Sequence, residues 1–96
     1  MTVKTTPFDA APYLDTPEAQ AEMLNDALET GDAAYIANAI GVIARARGMT
    51  QIARETGVTR EGLYKSLSLD GDPKLTTLLG VLKSLGFTLS AHTTTH

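Results

Sequence analysis

The stretch MTQIARETGVTREGLYKSL, residues 49–67, has a short apolar rhythm broken in its middle by Gly57. Neither side of the break is long enough to be a stable helix in water, because isolated helices below about 12 residues are marginal. The sequence predicts a helix over 50–56, a three-residue turn of Gly57, Val58 and Thr59, and a second helix over 60–68 capped by Thr59. These are the dimensions of a helix-turn-helix. Gly57 supplies the positive φ of a tight turn, and Ala53 is small where the second helix crosses. Ile52, Val58, Leu63 and Leu67 form the seam that holds the pair together.

Such a unit holds its second helix out so that residues near its N-terminus reach base edges in the major groove. The positions expected to face outward are Thr59, Arg60, Glu61, Tyr64, Lys65 and Ser68. Arg60 suits guanine, Tyr64 and Lys65 suit base edges or phosphate, and Gln51 at the start of the first helix suits the DNA backbone. The competing reading is a helical hairpin that only packs, and Gly62 weakens the second helix from within.

Outward from this unit, the chain of 96 residues is expected to be one small all-α domain of about five helices, marginal enough in core that a partner chain would complete it. Residues 1–15 read as an N-terminal arm, 16–90 as the helical domain and 91–96 as a disordered tail. Thr16-Pro17-Glu18 opens a helix that ends at Gly31, with Met23, Leu24, Ala27 and Leu28 on its apolar face. A second helix runs from Asp32 to about Arg47 on Ile36, Ile40, Ile43 and Ala44, and Gly48 takes its left-handed stop. The last helix is expected to be capped by Asp72, with Pro73 at its first position and Leu75, Leu78, Leu79, Leu82 and Leu85 on one face up to Gly86. Phe87, Leu89 and Ala91 then alternate with polar residues, which predicts a short C-terminal strand over 87–91. That strand would pair with its symmetry mate or with the β-prone residues 2–6.

Composition narrows the function. There is no cysteine, hence no disulfide, Cys-based zinc site or thiol nucleophile. No segment reaches the roughly 20 apolar residues of a membrane span and the first eight residues lack a signal-peptide core, so a soluble, cytoplasmic protein is expected. The only histidines are His92 and His96, in the tail. No catalytic or metal constellation can be assembled, and neither an enzyme nor a cofactor is expected. Asp70-Gly71-Asp72 reads as a turn and cap, since a calcium loop needs further ligands.

The net charge of −3 conceals a division. Residues 1–40 set Lys4 against seven acidic residues, a net of −6, whereas residues 41–96 set seven basic residues against four acidic ones, a net of +3. Opposite halves point to two surfaces with different partners, or to two helices that merely solvate the molecule.

The stretches YLDTPEAQAEMLNDALETGDAAYIANAIG (13–41) and IARARGMTQIARETGVTREGLYKSLSLDGDPKLTTLLGVLKSLG (43–86) resemble the addiction-module antidote proteins, Xre-like antitoxins often called HigA-like. The most specific segments are ARARGMTQIARETG, EGLYKSLS and DGDP. The family more often has Pro where Leu69 stands and Ala where Ser66 stands, which bears on the end of the second helix of the pair. The resemblance implies a λ-repressor-like helical bundle, binding to operator DNA, repression of the protein's own operon, and neutralisation of a cognate toxin of the RelE/ParE kind. The acidic half is then the expected toxin surface, with Phe8, Tyr13 and Leu14 as apolar anchors; the alternative is that these three fold back to complete the core. A homodimer is expected, because two-fold symmetry lets a small unit read two half-sites. Two other readings stay open: a phage-type regulator with no toxin, and a helical adaptor that binds only protein.

Overall fold

The computed structural model describes residues 14–94, and every regular element among them is helical. In chain order these are α1 (Pro17–Thr30), α2 (Ala33–Arg47), α3 (Met49–Thr56), α4 (Arg60–Ser66) and α5 (Leu75–Leu85). Among the described residues no helix is long and apolar enough to cross a membrane.

Local chemistry sets the boundaries of the first two helices. Thr16 Oγ1 accepts from the Ala19 N–H at 3.1 Å, and Pro17 occupies the first turn, where its missing N–H leaves nothing unpaired. Gly31, at φ 66°, ends α1. Asp32 Oδ1 then accepts from the N–H groups of Ala34 and Tyr35 at 3.1 and 3.3 Å to open α2. The single residue Gly48 joins α2 to α3. Its φ of 130° and ψ of 104° are positive but outside the left-handed helical well expected for it. Its N–H reaches Ala44 O at 2.8 Å while its own carbonyl accepts from Ile52 at 3.3 Å, so one glycine both ends a helix and begins the next.

The core is centred on α2. Ile40, Ile43 and Ala44 are buried there with Leu24 of α1, Ile52 of α3, Leu63 of α4, Leu67 just beyond it, and Val81, Leu82 and Leu85 of α5. α1 packs on α2 alone to any extent, whereas α3 rests chiefly on α5, and α4 is held by α2 and α3. A Cβ on Gly41 would stand 2.1 Å from the Leu67 carbonyl oxygen, so glycine is what lets α2 approach the end of α4.

A polar bridge closes the bundle. The buried Gln20 donates to the Leu14 carbonyl at 2.8 Å and accepts from the Arg47 guanidinium at 2.6 Å. The same guanidinium nitrogen reaches the Leu85 carbonyl at 3.1 Å. Arg47, one of the basic residues of the second half, is thereby committed to the fold.

Three expectations are corrected. The C-terminal strand over 87–91 is absent, and the end of α5 explains why. Gly86, at φ 86°, donates to Lys83 O at 3.0 Å, and Phe87 donates to Leu82 O at 2.9 Å. These are the two bonds of a Schellman terminator, whose apolar residue packs back on the helix, and Phe87 does so. The alternation of Phe87, Leu89 and Ala91 is therefore not a strand face; Leu89 and Ala91 run on past α1, lining a groove with Leu24 and Leu28. The second correction is at the start of α5. Asp72 and Pro73 lie in extended chain and Lys74 is the cap residue, with no side-chain bond to the helix. A Cβ on Gly71 would meet the Ser66 and Lys65 carbonyl oxygens at 2.1 and 2.5 Å, so the chain is still crossing the end of α4 at this point, and α4 stops at Ser66, short of 68. The third concerns the leucine face. Leu82 and Leu85 are buried beside Val81, but Leu75 and Leu79 are 66% and 46% exposed.

Two glycines predict opposite effects. Gly41→Ala drives a methyl into the Leu67 backbone and should destabilise the fold by about 1–3 kcal/mol. Gly80→Ala, inside α5 with ordinary 3.6 Å contact to Thr56 Cγ2, should stabilise it by up to about 1 kcal/mol through helix propensity. Thermal unfolding of the two variants checks both signs.

Candidate nucleic-acid interface

The α3–turn–α4 unit has its local bonds fully arranged. Gly57, at φ 78°, donates to Ala53 O at 2.9 Å and turns the chain out of α3. Thr56 Oγ1 donates to Ile52 O at 2.8 Å and accepts from Val58 N at 3.3 Å, which stiffens the turn. Thr59 Oγ1 then accepts from Gly62 N at 3.0 Å to cap α4. A Cβ on Gly62 would come within 3.0 Å of that same hydroxyl, so the glycine that weakens the helix makes room for its cap.

Burial sorts the side chains of α4 by face. Leu63 and Leu67 have no exposed surface, while Arg60, Glu61, Tyr64 and Lys65 lie outward. Of the seven residues expected at this surface, these four share a free outer face. Thr59 is exposed too, but its hydroxyl is engaged as the cap, and Ser68 is half-buried with its hydroxyl donating to Lys65 O at 2.9 Å. Gln51 is exposed on α3, and its amide donates to Glu55 Oε2 at 2.7 Å.

Sequence reasoning missed Glu55 and Ser84. The hydroxyl of Ser84 on α5 donates to the other oxygen of Glu55, so one carboxylate ties Gln51 to α5. The Gln51–Glu55 half was readable as a pair four residues apart on a helix, whereas nothing in the sequence brings Ser84 to α3. The Ser84 bond first, then Gln51 and the Arg54 charge, hold the Glu55 carboxyl below its ordinary value of 4.5.

Of the three apolar anchors assigned to the toxin, Phe8 and Tyr13 lie outside the described residues. Leu14 is only 5% exposed and belongs to the core, its carbonyl held by Gln20. Along α1, by contrast, Glu18, Glu22, Asp26 and Glu29 are all exposed. Among the described residues no three His, Asp or Glu side chains converge as metal ligands would.

Fold and surface together define a small all-helical domain that presents one short helix outward and carries an acidic helix on another side of α2. A family described as "Probable addiction module antidote protein" matches residues 4–93, and the chain belongs to it. It is 45% identical over 85 residues to an uncharacterized protein of Haemophilus influenzae, with 88% of each chain covered. No solved structure matches the chain. An antidote implies a toxin, so membership of this family implies a toxin partner.

Because the folded state lowers the Glu55 pKa, its contacts add stability at neutral pH that is lost as the pH falls below about 4.5 and through the lowered value. Ser84→Ala removes the leading cause, and an NMR titration of the Glu55 carboxyl in that variant should show the pKa moving back up toward 4.5.

Proposed function

We propose that the protein is the DNA-binding antitoxin of a type II toxin–antitoxin module. It neutralises a RelE/ParE-like toxin by direct contact, represses its own operon, and works in the cytoplasm as a binding protein without catalytic activity. Family membership supports the antitoxin role. The observation that carries the DNA reading is the division of α4, whose inner residues Leu63 and Leu67 are wholly buried while Arg60, Tyr64 and Lys65 are exposed beside one another. The α3–turn–α4 unit then acts as a helix-turn-helix. Arg60, at the first position of α4, is the base reader, Lys65 meets phosphate, and Gln51 contacts the strand backbone from α3. Glu61 lies on the same outer face, with Thr59 and Ser68 at the two ends of the helix.

The toxin meets the other charged side. Glu18, Glu22, Asp26 and Glu29 make α1 an acidic stripe, and a toxin acting on RNA or on nucleic-acid-bound machinery needs a basic surface that such a stripe attracts. Phe8 and Tyr13 stand just before this helix in the chain and supply aromatic anchors. Since α1 and α4 both pack on α2, a single chain can carry both activities on separate surfaces.

The two activities should separate. The double variant Arg60→Ala/Lys65→Ala should retain its helicity, lose about 1–3 kcal/mol of operator affinity from the base contact, and show a salt dependence flatter by about one unit from the phosphate contact. It should still co-purify with the toxin encoded by the adjacent reading frame and protect cells from it. Wild-type operator affinity in this variant would reject α4 as the reading helix, and failure of the unmodified chain to protect cells would reject the antitoxin role.

A homodimer completes the reading. Two-fold dimers read half-sites about one helical turn, roughly 34 Å, apart, and the exposed pair Leu75 and Leu79 on successive turns of α5 offers the contact. Leu75→Glu/Leu79→Glu should leave the helicity of the chain nearly unchanged, because neither side chain is part of the core of the single chain. Sedimentation should show it as a monomer where the unmodified chain is dimeric.

A further inference from the structure

The guanidinium of Arg60 lies over the ring of Tyr64, 5.8 Å from its centroid. We propose that Tyr64 is a positioning residue that holds Arg60 ready to read a guanine in each operator half-site; this rests on the DNA-binding reading above. Residues 60 and 64 stand four apart on α4, the spacing at which side chains of one helix meet. The distance is within the range where the negative face of an aromatic ring attracts a cation.

A ring as partner distinguishes this contact from an ion pair. An Arg held by a carboxylate gives up the N–H groups that would otherwise meet a base. An Arg drawn to a ring face spends none of its N–H donors on a carboxylate, so all five remain for another partner. Guanine offers the matching pair of acceptors, O6 and N7, side by side in the major groove. The stack narrows the rotamers of a long flexible side chain before DNA arrives, so less entropy is lost on binding. Tyr64 itself is 39% exposed, so the pair it forms with Arg60 stands on the outer face of α4. The cap at Thr59 and the tight fit of Gly62 against it fix the first turn of α4, from which Arg60 projects.

Tyr64 thus governs discrimination more than overall attraction. Ionic phosphate contacts and net charge set how tightly the domain holds any duplex, and Tyr64 carries no charge. Without the ring, Arg60 keeps its charge but samples orientations from which guanine is no longer favoured over another base.

The test uses the full chain and duplexes enriched from a random library by the unmodified protein, with affinity read by fluorescence anisotropy. The enriched sites should contain a fixed guanine in each half. Replacing it by 7-deazaguanine, which lacks the N7 acceptor, should weaken binding about tenfold. Tyr64→Phe should keep this discrimination, because the ring is retained. Tyr64→Ala and Tyr64→Leu should bring the ratio between the two duplexes close to that of Arg60→Ala. The two Tyr64 variants should also keep the salt slope of the unmodified protein on a duplex of random sequence, because neither changes the charge of α4. Having both guards against loss of folding in one, and circular dichroism of each reports the helices. Enriched sites on which Tyr64→Leu or Tyr64→Ala discriminates as well as the unmodified protein would overturn the role of Tyr64 and leave the DNA reading intact, as would sites with no fixed guanine. A library from which no sequence is enriched would overturn the DNA reading, and this inference with it.

Discussion

The contact on which the rest of the architecture depends is between Gly41 and the carbonyl of Leu67. α4 has only seven residues, too few to hold its own shape, so its position is set by what its inner face and its end rest upon. The floor is α2, and the absence of a side chain at 41 lets the backbone after α4 settle onto it. From this follow the complete burial of Leu63 and Leu67 and, because a helix has two sides, the outward placement of Arg60, Tyr64 and Lys65. Gly71 repeats the device at the other side of the same end, letting the chain pass over the last carbonyls of α4 on its way to α5. A short helix is made precise by its surroundings, with glycine at the two closest approaches.

The charge division takes on meaning once the helices are in place. Four of the seven acidic residues of the first half, Glu18, Glu22, Asp26 and Glu29, lie along α1 and are exposed, and α1 touches little besides α2. The basic residues of the second half are more varied in role. Arg60 and Lys65 are outward on α4, whereas Arg47 is taken up by Gln20 and the Leu85 carbonyl. A net charge summed over half a chain therefore says nothing of which guanidinium groups are held in place by the fold and which are free to turn toward a partner.

Much of the helical plan was legible because its signals are local. Thr16-Pro17 and Asp32 are caps that act within three residues, and Gly31, Gly57 and Gly86 mark ends that only a positive φ can make. The errors arise where a local pattern is overruled by something distant. Leu75 and Leu79 share the helical spacing of Leu78, Leu82 and Leu85, but the side of α5 that is buried is decided by α3, and those two fall off it. Phe87 alternates with Leu89 as a strand residue would, yet its backbone N–H belongs to the helix before it. Asp72-Pro73 has the chemistry of a helix start, but the chain is still crossing α4 there. On α4, the exposure of Arg60, Glu61, Tyr64 and Lys65 followed from periodicity alone. The cap at Thr59 was legible as well, whereas the engagement of Ser68 with the Lys65 carbonyl and the reach of Ser84 to Glu55 required three dimensions.

The bridge formed by Arg47 also bears on how the chain assembles and comes apart. Its two bonds span 27 and 38 residues, and the Gln20 bond to Leu14 fastens the entrance of the helical domain into the same group. Contacts of such sequence separation form only after the intervening chain has been ordered, so they belong to the closing stage of folding rather than its nucleus. In the native state they make the start of the bundle and the end of its last helix into one cooperative unit. Neither end can fray by itself, and local opening at one is registered at the other.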